Sequence, residues 1–162
     1  MLKIIISFTF LLYTTGCDYT AASKTKANKV RTYYEIGLLP KLMSIPGNPV
    51  SVKWQIDETK ENAGNLIVLL KYSPQDKQLI LENSKIADNP SFDRIGIDIY
   101  DTWITEEAKR GLEVKIINKV YELKGIPQYT PDVFIQTELS PYVNGSVTPL
   151  AGGYIFISLY SM

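Results

Sequence analysis

In the run Val50-Ser51-Val52-Lys53-Trp54-Gln55-Ile56-Asp57, apolar and polar residues alternate without a break. Successive side chains of a strand point to opposite faces, so this pattern is a strand with one face on a core and the other on water. Trp54 is then a buried core aromatic. Past the polar loop Glu58 to Gly64, Asn65 to Ser73 (NLIVLLKYS) reads as a second strand. It is more apolar and therefore more deeply buried. On the other side, Val30 to Leu38 (VRTYYEIGL) is a candidate first strand, and Leu39-Pro40 and Ile45-Pro46-Gly47-Asn48-Pro49 punctuate the connection as turn or loop.

Further along, Ser73-Pro74-Gln75-Asp76 has the composition of a helix start, with Ser73 at N-cap, Pro74 at N1 and Lys77 to Glu82 helical. Gln78 to Leu81 equally suits a strand, and both readings stand. Ala87 to Ser91 is a loop. Asp93 to Trp103 (DRIGIDIYDTW) places Ile95, Ile97 and Ile99 on one strand face. Thr105 to Gly111 reads as one helical turn, capped by Thr105 and stopped by Gly111. Leu112 to Leu123 is a strand that shifts face near Asn118, as a bulge would make it do. Pro127 and Pro131 bracket a loop, and Val133, Ile135, Thr137 and Leu139 alternate again. Asn144-Gly145 predicts a type I′ hairpin turn. Gly152-Gly153 turns into a last strand, Tyr154 to Tyr160.

Seven or eight short strands separated by turns, with at most one or two short helical turns, predict an all-β antiparallel β-sandwich, immunoglobulin-like in shape. A small barrel, or an α+β domain using residues 74–85 as its helix, is the alternative. The sandwich domain spans residues 30–162. A chain of this length suits a single domain with a real core.

The N-terminus addresses location. One basic residue, Lys3, precedes the apolar run Ile4 to Tyr13, which is too short to span a membrane at about 20 residues. Thr14-Thr15-Gly16 then leads into Cys17, the one cysteine of the chain. This arrangement resembles a bacterial lipoprotein signal, whose lipobox ends in a small residue followed by cysteine; Thr14 departs from the Leu or Val preferred there. The resemblance implies cleavage of residues 1–16, a lipidated Cys17, and a cell-envelope protein anchored in the membrane and facing the periplasm. Two or more acyl chains make such anchoring stable. Asp18 resembles the signal that retains enteric lipoproteins in the inner membrane; the outer membrane is the other destination. Residues 17–29 form a tether of small and polar residues. The order of features in the mature chain is similar to an uncharacterised group of small proteobacterial lipoproteins with sandwich domains, which implies no activity.

Composition prunes the chemistry. There is no histidine, so the commonest general base and metal ligand are missing. The one Ser-x-x-Lys spacing, Ser23 to Lys26, falls in the small, polar stretch before the domain, and no Gly-x-x-x-x-Gly-Lys loop occurs. Cys17 is expected to be blocked by lipid. Sixteen basic residues against seventeen acidic ones in residues 17–162, once Lys3 is removed, leave no basic footprint for nucleic acid. No catalysis, no cofactor and no metal site are expected. The one acidic cluster is Asp93, Asp98, Asp101, Glu106 and Glu107. Calcium, which takes six to eight oxygens, is the ligand such a cluster would hold; solvated carboxylates that deter edge aggregation are the simpler reading.

Nine of the eleven tyrosines lie from Tyr33 onward. Tyr33, Tyr34, Tyr100, Trp103, Tyr129 and Tyr142 are candidates for a binding interface, because such rings offer large rigid contacts with a polar end. Filling of alternating sheet positions is the competing reading. The sequence therefore favours a membrane-anchored, non-catalytic protein-binding module, with an immunity or inhibitor protein against a delivered toxin as the concrete case. A structural or assembly component of an envelope complex is the second.

Overall fold

The computed structural model describes residues 30–57, 64–88, 94–135, 138 and 140–161. Cys17, Asp18, the tether and Asp93 lie outside the described residues. In chain order the elements are β1 (Thr32–Tyr33), β2 (Ser51–Asp57), β3 (Asn65–Lys71), α1 (Pro74–Glu82), β4 (Arg94–Gly96), α2 (Ile97–Trp103), β5 (Glu113–Ile117), β6 (Val120–Lys124), β7 (Tyr142–Pro149) and β8 (Tyr154–Ser161). Eight strands thus form two antiparallel sheets, one ordered β1-β2-β3-β8-β7 and the other β4-β6-β5. The fold is all-β and sandwich-like. No helix among the described residues is long and apolar enough to cross a membrane.

The five-stranded sheet has a core on each face. Leu66, Val68 and Leu70 of β3 and Ile155, Ile157 and Leu159 of β8 point to one side, where they meet Trp54, Phe134, Leu39 and Ile80. Their registers match apolar to apolar: Leu66 opposite Leu159, Val68 opposite Ile157, Leu70 opposite Ile155. Leu69 and Phe156 point to the other side and pack on Ile95, Tyr100, Trp103 and Leu123 of α2 and the three-stranded sheet. This two-sided burial is why β3 and β8 read as nearly continuous apolar runs. Each large side chain so buried contributes about 1.5–3 kcal/mol relative to exposure.

β2 keeps its alternation, with Val52, Trp54 and Ile56 on the first core. Its opposite face is not simply wet. Lys53 lies 5.0 Å from the Trp103 ring centre and donates to the Thr102 carbonyl at 3.1 Å. Burial there lowers its pKa. Val50 precedes the strand and is 70 % exposed, so the core face begins at Val52.

The two readings of residues 73–82 resolve to helix. Ser73 Oγ accepts from the Asp76 amide at 3.1 Å, and Pro74 takes the first turn, where its missing N–H costs nothing. Thr105 likewise accepts from the Ala108 amide at 3.2 Å and starts the turn that Gly111 ends at φ +78°.

Four local expectations are corrected. First, the strand expected across Asp93–Trp103 stops at Gly96, and Ile97–Trp103 is helix. The β-branched isoleucines favour a strand, but only a helical repeat brings Tyr100, Trp103 and Ile104 together onto the second core. Second, Leu112–Leu123 is a hairpin and not one bulged strand. Asn118 and Lys119 take φ +48° and +65°, the signature of a type I′ turn, and β5 folds back on β6. Third, Asn144-Gly145 is not a turn but lies inside β7, beside a register shift between Tyr142 and Asn144. Fourth, the first strand shortens to Thr32–Tyr33, because Leu39–Lys41 enters a 3-10 turn around Pro40. The alternation from Val133 begins in a turn, with Phe134 donating to the Pro131 carbonyl at 2.7 Å. Positions 136, 137 and 139 lie outside the described residues.

Candidate functional site

A groove of about 970 Å³ runs between α1 and the turn that joins β7 to β8. The sequence builds it in three steps. Gly152 and Gly153 adopt φ +64° and +84°, which lets β7 return as β8 with almost no side chain at the bend. A Cβ on Gly153 would sit 2.4 Å from the Tyr72 carbonyl oxygen, and one on Gly152 would strike the Glu107 carboxylate. Glycine at both positions therefore keeps the floor low and lets Glu107 lie across it. The Ser73 cap then starts α1 immediately beyond β3, so Pro74, Lys77, Gln78 and Leu81 form one wall. Ile86 and Tyr129 close the far end, tied by a backbone bridge that continues from Tyr129 to Val147.

The charged groups along this groove are mostly engaged. Lys71 Nζ contacts Glu107 Oε2 at 3.1 Å and lies 4.8 Å from the Tyr154 ring centre. The hydrogen bond to Glu107, with a smaller one to Tyr154, raises the lysine pKa. Lys77 donates to the Leu150 carbonyl, and burial lowers its pKa. What remains open is apolar: Leu81, Tyr129 and above all Ile86, which is 64 % exposed. Apolar walls with fixed polar groups at the rim fit a side chain or a short segment of another molecule.

A second cleft of similar volume, about 970 Å³, lies between Thr32, Ile67 and the α2 residues Asp98 and Trp103. A smaller one, about 390 Å³, flanks Leu79 and Pro46. The first groove is the better candidate, because there exposed apolar surface and several anchored charged groups converge.

The six candidate interface aromatics do not share a surface. Tyr33 stacks on Trp54 at 4.2 Å and, with Tyr129 and Tyr142, belongs to the first core or its border. Tyr100 stacks on Tyr121 at 4.1 Å, and with Trp103 it is buried in the second core. The central sheet separates the two sets. Tyr34 alone is broadly exposed, at 70 %. Tyr129 lines the first groove and Trp103 the second cleft. The described carboxylates of the acidic run also diverge. Glu106 pairs with Lys109 at 2.8 Å and Glu107 with Lys71, while Asp98 and Asp101 are exposed on α2. Among the described residues, no three acidic side chains converge on a point where a cation would sit.

The groove residues Lys71, Tyr72, Lys77, Leu81 and Ile86 carry no sequence signal of a site. The Ser73-Pro74 cap and the Gly152-Gly153 pair were the available signals, but only pairing of β3 with β8 places them side by side.

Tyr72 is 2 % exposed, and its hydroxyl has no hydrogen-bond partner among the described residues. Burial, with the charge of Asp76 second, pushes its pKa well up. An unmet buried hydroxyl costs about 1–3 kcal/mol, so Tyr72→Phe is expected to leave stability unchanged or raise it at neutral pH. Because the folded pKa lies above the ordinary 10.0, the Tyr72 contribution is intact below pH 10 and lost as pH rises beyond it. The phenylalanine variant should lose less stability above pH 10. Denaturant midpoints for both proteins on either side of that pH check this, and a large loss at neutral pH would reveal a partner for the hydroxyl.

The class defined by these features is an all-β, two-sheet protein carrying an open apolar groove beside the capped helix α1. Compared with known proteins, the chain matches no family model, no curated protein and no solved structure.

Proposed function

We propose that this chain is a bacterial envelope lipoprotein, anchored through lipidated Cys17, whose domain is a non-catalytic protein-binding module. The groove beside α1 is its docking site, and the concrete case is an immunity or inhibitor protein that holds a delivered toxin. The observation that carries the docking reading is the groove itself, where exposed Ile86 and half-buried Leu81 sit among lysines already fixed by Glu107 and the Leu150 carbonyl. Those lysines lend rim contacts without needing to be reorganised, and the apolar wall and far end supply the anchor pocket typical of a binding hot spot. The sequence supports the rest: Gly16-Cys17 at the end of an apolar leader, and a chain without histidine.

The test is a pull-down with the full chain from detergent-solubilised membranes, with labelled palmitate supplied during growth. Label should enter the parent and not Cys17→Ser. One stoichiometric partner, toxic when produced alone, should be captured by the parent. Ile86→Glu, at an exposed position, should retain the fold and weaken capture by about tenfold or more, as loss of a buried anchor does. Undiminished capture by Ile86→Glu would remove the groove from the binding reading. A fixed set of envelope-machine subunits would favour the assembly role.

A further inference from the structure

We propose that the free edge of β5 pairs, antiparallel, with β5 of a second copy of this chain. β5 is the outer strand of the three-stranded sheet and, among the described residues, pairs only with β6. Four of its five residues are exposed, and the fifth, Ile117, is half-buried. Val114 is 40 % exposed and Ile116 59 %. They lie opposite Leu123 and Tyr121, which pack on the second core, so the apolar face of the sheet runs past its covered part and out to the edge.

The hairpin geometry says which backbone groups are available. A two-residue turn at Asn118-Lys119 makes Ile117 and Val120 a hydrogen-bonded pair. Alternation along an antiparallel ladder then turns the N–H and C=O groups of Lys115 and Glu113 inward to β6. Those of Val114 and Ile116 point outward, to the open edge.

Charge selects both the partner and the register. An antiparallel second β5 must meet this edge through its own outward-facing even-numbered residues. With Val114 opposite Val114, Glu113 of each chain faces Lys115 of the other, and Ile116 comes beside Leu112. Sliding the second strand by two residues in either direction sets Lys115 against Lys115, or Glu113 against Glu113. Like charges directly opposite are destabilising and opposite charges favourable, by roughly 0.2–1 kcal/mol per pair. A single charged residue commonly protects an edge from such pairing. Here the two charges of β5 are complementary to themselves in one register and exclude its neighbours. A pairing of five residues per chain is small, so the contact is a weak, exchanging one.

The test traps that contact covalently. Val114→Cys is placed in the full chain with Cys17→Ser, so that it carries the one thiol. Directly opposed residues of a hydrogen-bonded pair lie about 5.5 Å apart between Cα atoms, within disulfide reach. Mild oxidation should yield a reducible dimer. Val50→Cys, more accessible at 70 % exposure against 40 % for Val114, should not. Adding Lys115→Glu turns two attractive pairs into repulsive ones and should lower the yield about tenfold. The exchange Glu113→Lys with Lys115→Glu restores complementarity and should restore the dimer. Val50, Glu113, Val114 and Lys115 are all exposed, and circular dichroism checks that each variant folds. Monomer after oxidation, equal yield from Val50→Cys, or a yield indifferent to Lys115→Glu overturns the proposal, as does failure of the exchange to rescue.

Discussion

Trp54→Ala is expected to remove about 3–5 kcal/mol of stability, the usual cost of deleting a buried large aromatic. Trp54 is 3 % exposed and faces the first core from the middle of β2. It does more than fill space. Its ring stacks on Tyr33 at 4.2 Å with an interplanar angle of 16°, and its Nε1 donates to the Glu35 carbonyl at 2.8 Å. Those two contacts hold the segment around β1 against β2, where only Thr32 and Tyr33 pair through the backbone. Alanine therefore leaves a cavity and also releases the edge of the sheet. Stability of a domain is typically about 5–15 kcal/mol, so the variant should be near the limit of folding. The check is the denaturant midpoint, accompanied by a thermal midpoint lower by roughly 6–20 °C. Trp54→Phe separates the causes: it keeps most of the packing and the stack, and should lose about 1 kcal/mol through the missing hydrogen bond beyond its smaller size. A midpoint unmoved by Trp54→Ala would mean that β2 does not face a packed core.

Gly145→Ala should be comparably damaging, though it adds only one methyl group. The Cβ would lie 2.0 Å from the Ser158 carbonyl oxygen and 2.9 Å from the Leu159 Cα. Both are backbone atoms of β8, so no side chain can swing aside. The φ of +153° is itself unfavourable for any residue with a Cβ. Overpacking and backbone strain each cost about 1–3 kcal/mol, giving a loss of about 2–6 kcal/mol or failure to fold. The matched control is Gly96→Ala, where no atom lies within 4 Å of the added carbon. It should lose under about 1 kcal/mol, the cost of a poorer helix cap. The comparison of the two variants by chemical unfolding tests whether β7 approaches β8 as closely as the register implies. Equal, small losses would show that the β7–β8 contact is looser at this point.

Strand identity was legible in the sequence wherever the local pattern carries the same information as the tertiary environment. Val52, Trp54 and Ile56 alternate because one core lies beneath them. β3 and β8 are nearly continuous in apolar character because cores lie on both sides. The all-β, sandwich-like class is legible in those runs. Ser73-Pro74 marked a helix start correctly, but its competitor could not be dismissed, since Leu79, Ile80 and Leu81 suit either element. Hydrogen bonding decided it: Ser73 Oγ accepts the Asp76 amide, and the Lys77 and Asn83 amides donate to the Ser73 and Leu79 carbonyls, the ladder of a helix.

The rest depended on contacts between residues far apart in sequence. Ile95, Ile97 and Ile99 satisfy a strand period, and nothing local reveals that Tyr100, Trp103 and Ile104 will find a second core and impose the helical one. Asn118-Lys119 lacks the glycine that advertises a type I′ turn, whereas Asn144-Gly145 has it and is not one. The glycine there answers a different demand, the close approach of Ser158 and Leu159. The aromatic excess was visible, but which side of the central sheet each ring would occupy was not, and that split dissolves a single aromatic surface. The groove is the clearest instance. Its floor comes from Gly152 and Gly153, its wall from α1 and its far end from Ile86 and Tyr129. Strands β2, β3 and β8 are readable from the sequence alone, because each is written in neighbouring residues. Only the tertiary structure decided the two cores, the groove and the exposed β5 edge, because each is made by segments that meet through sheet pairing across long stretches of chain.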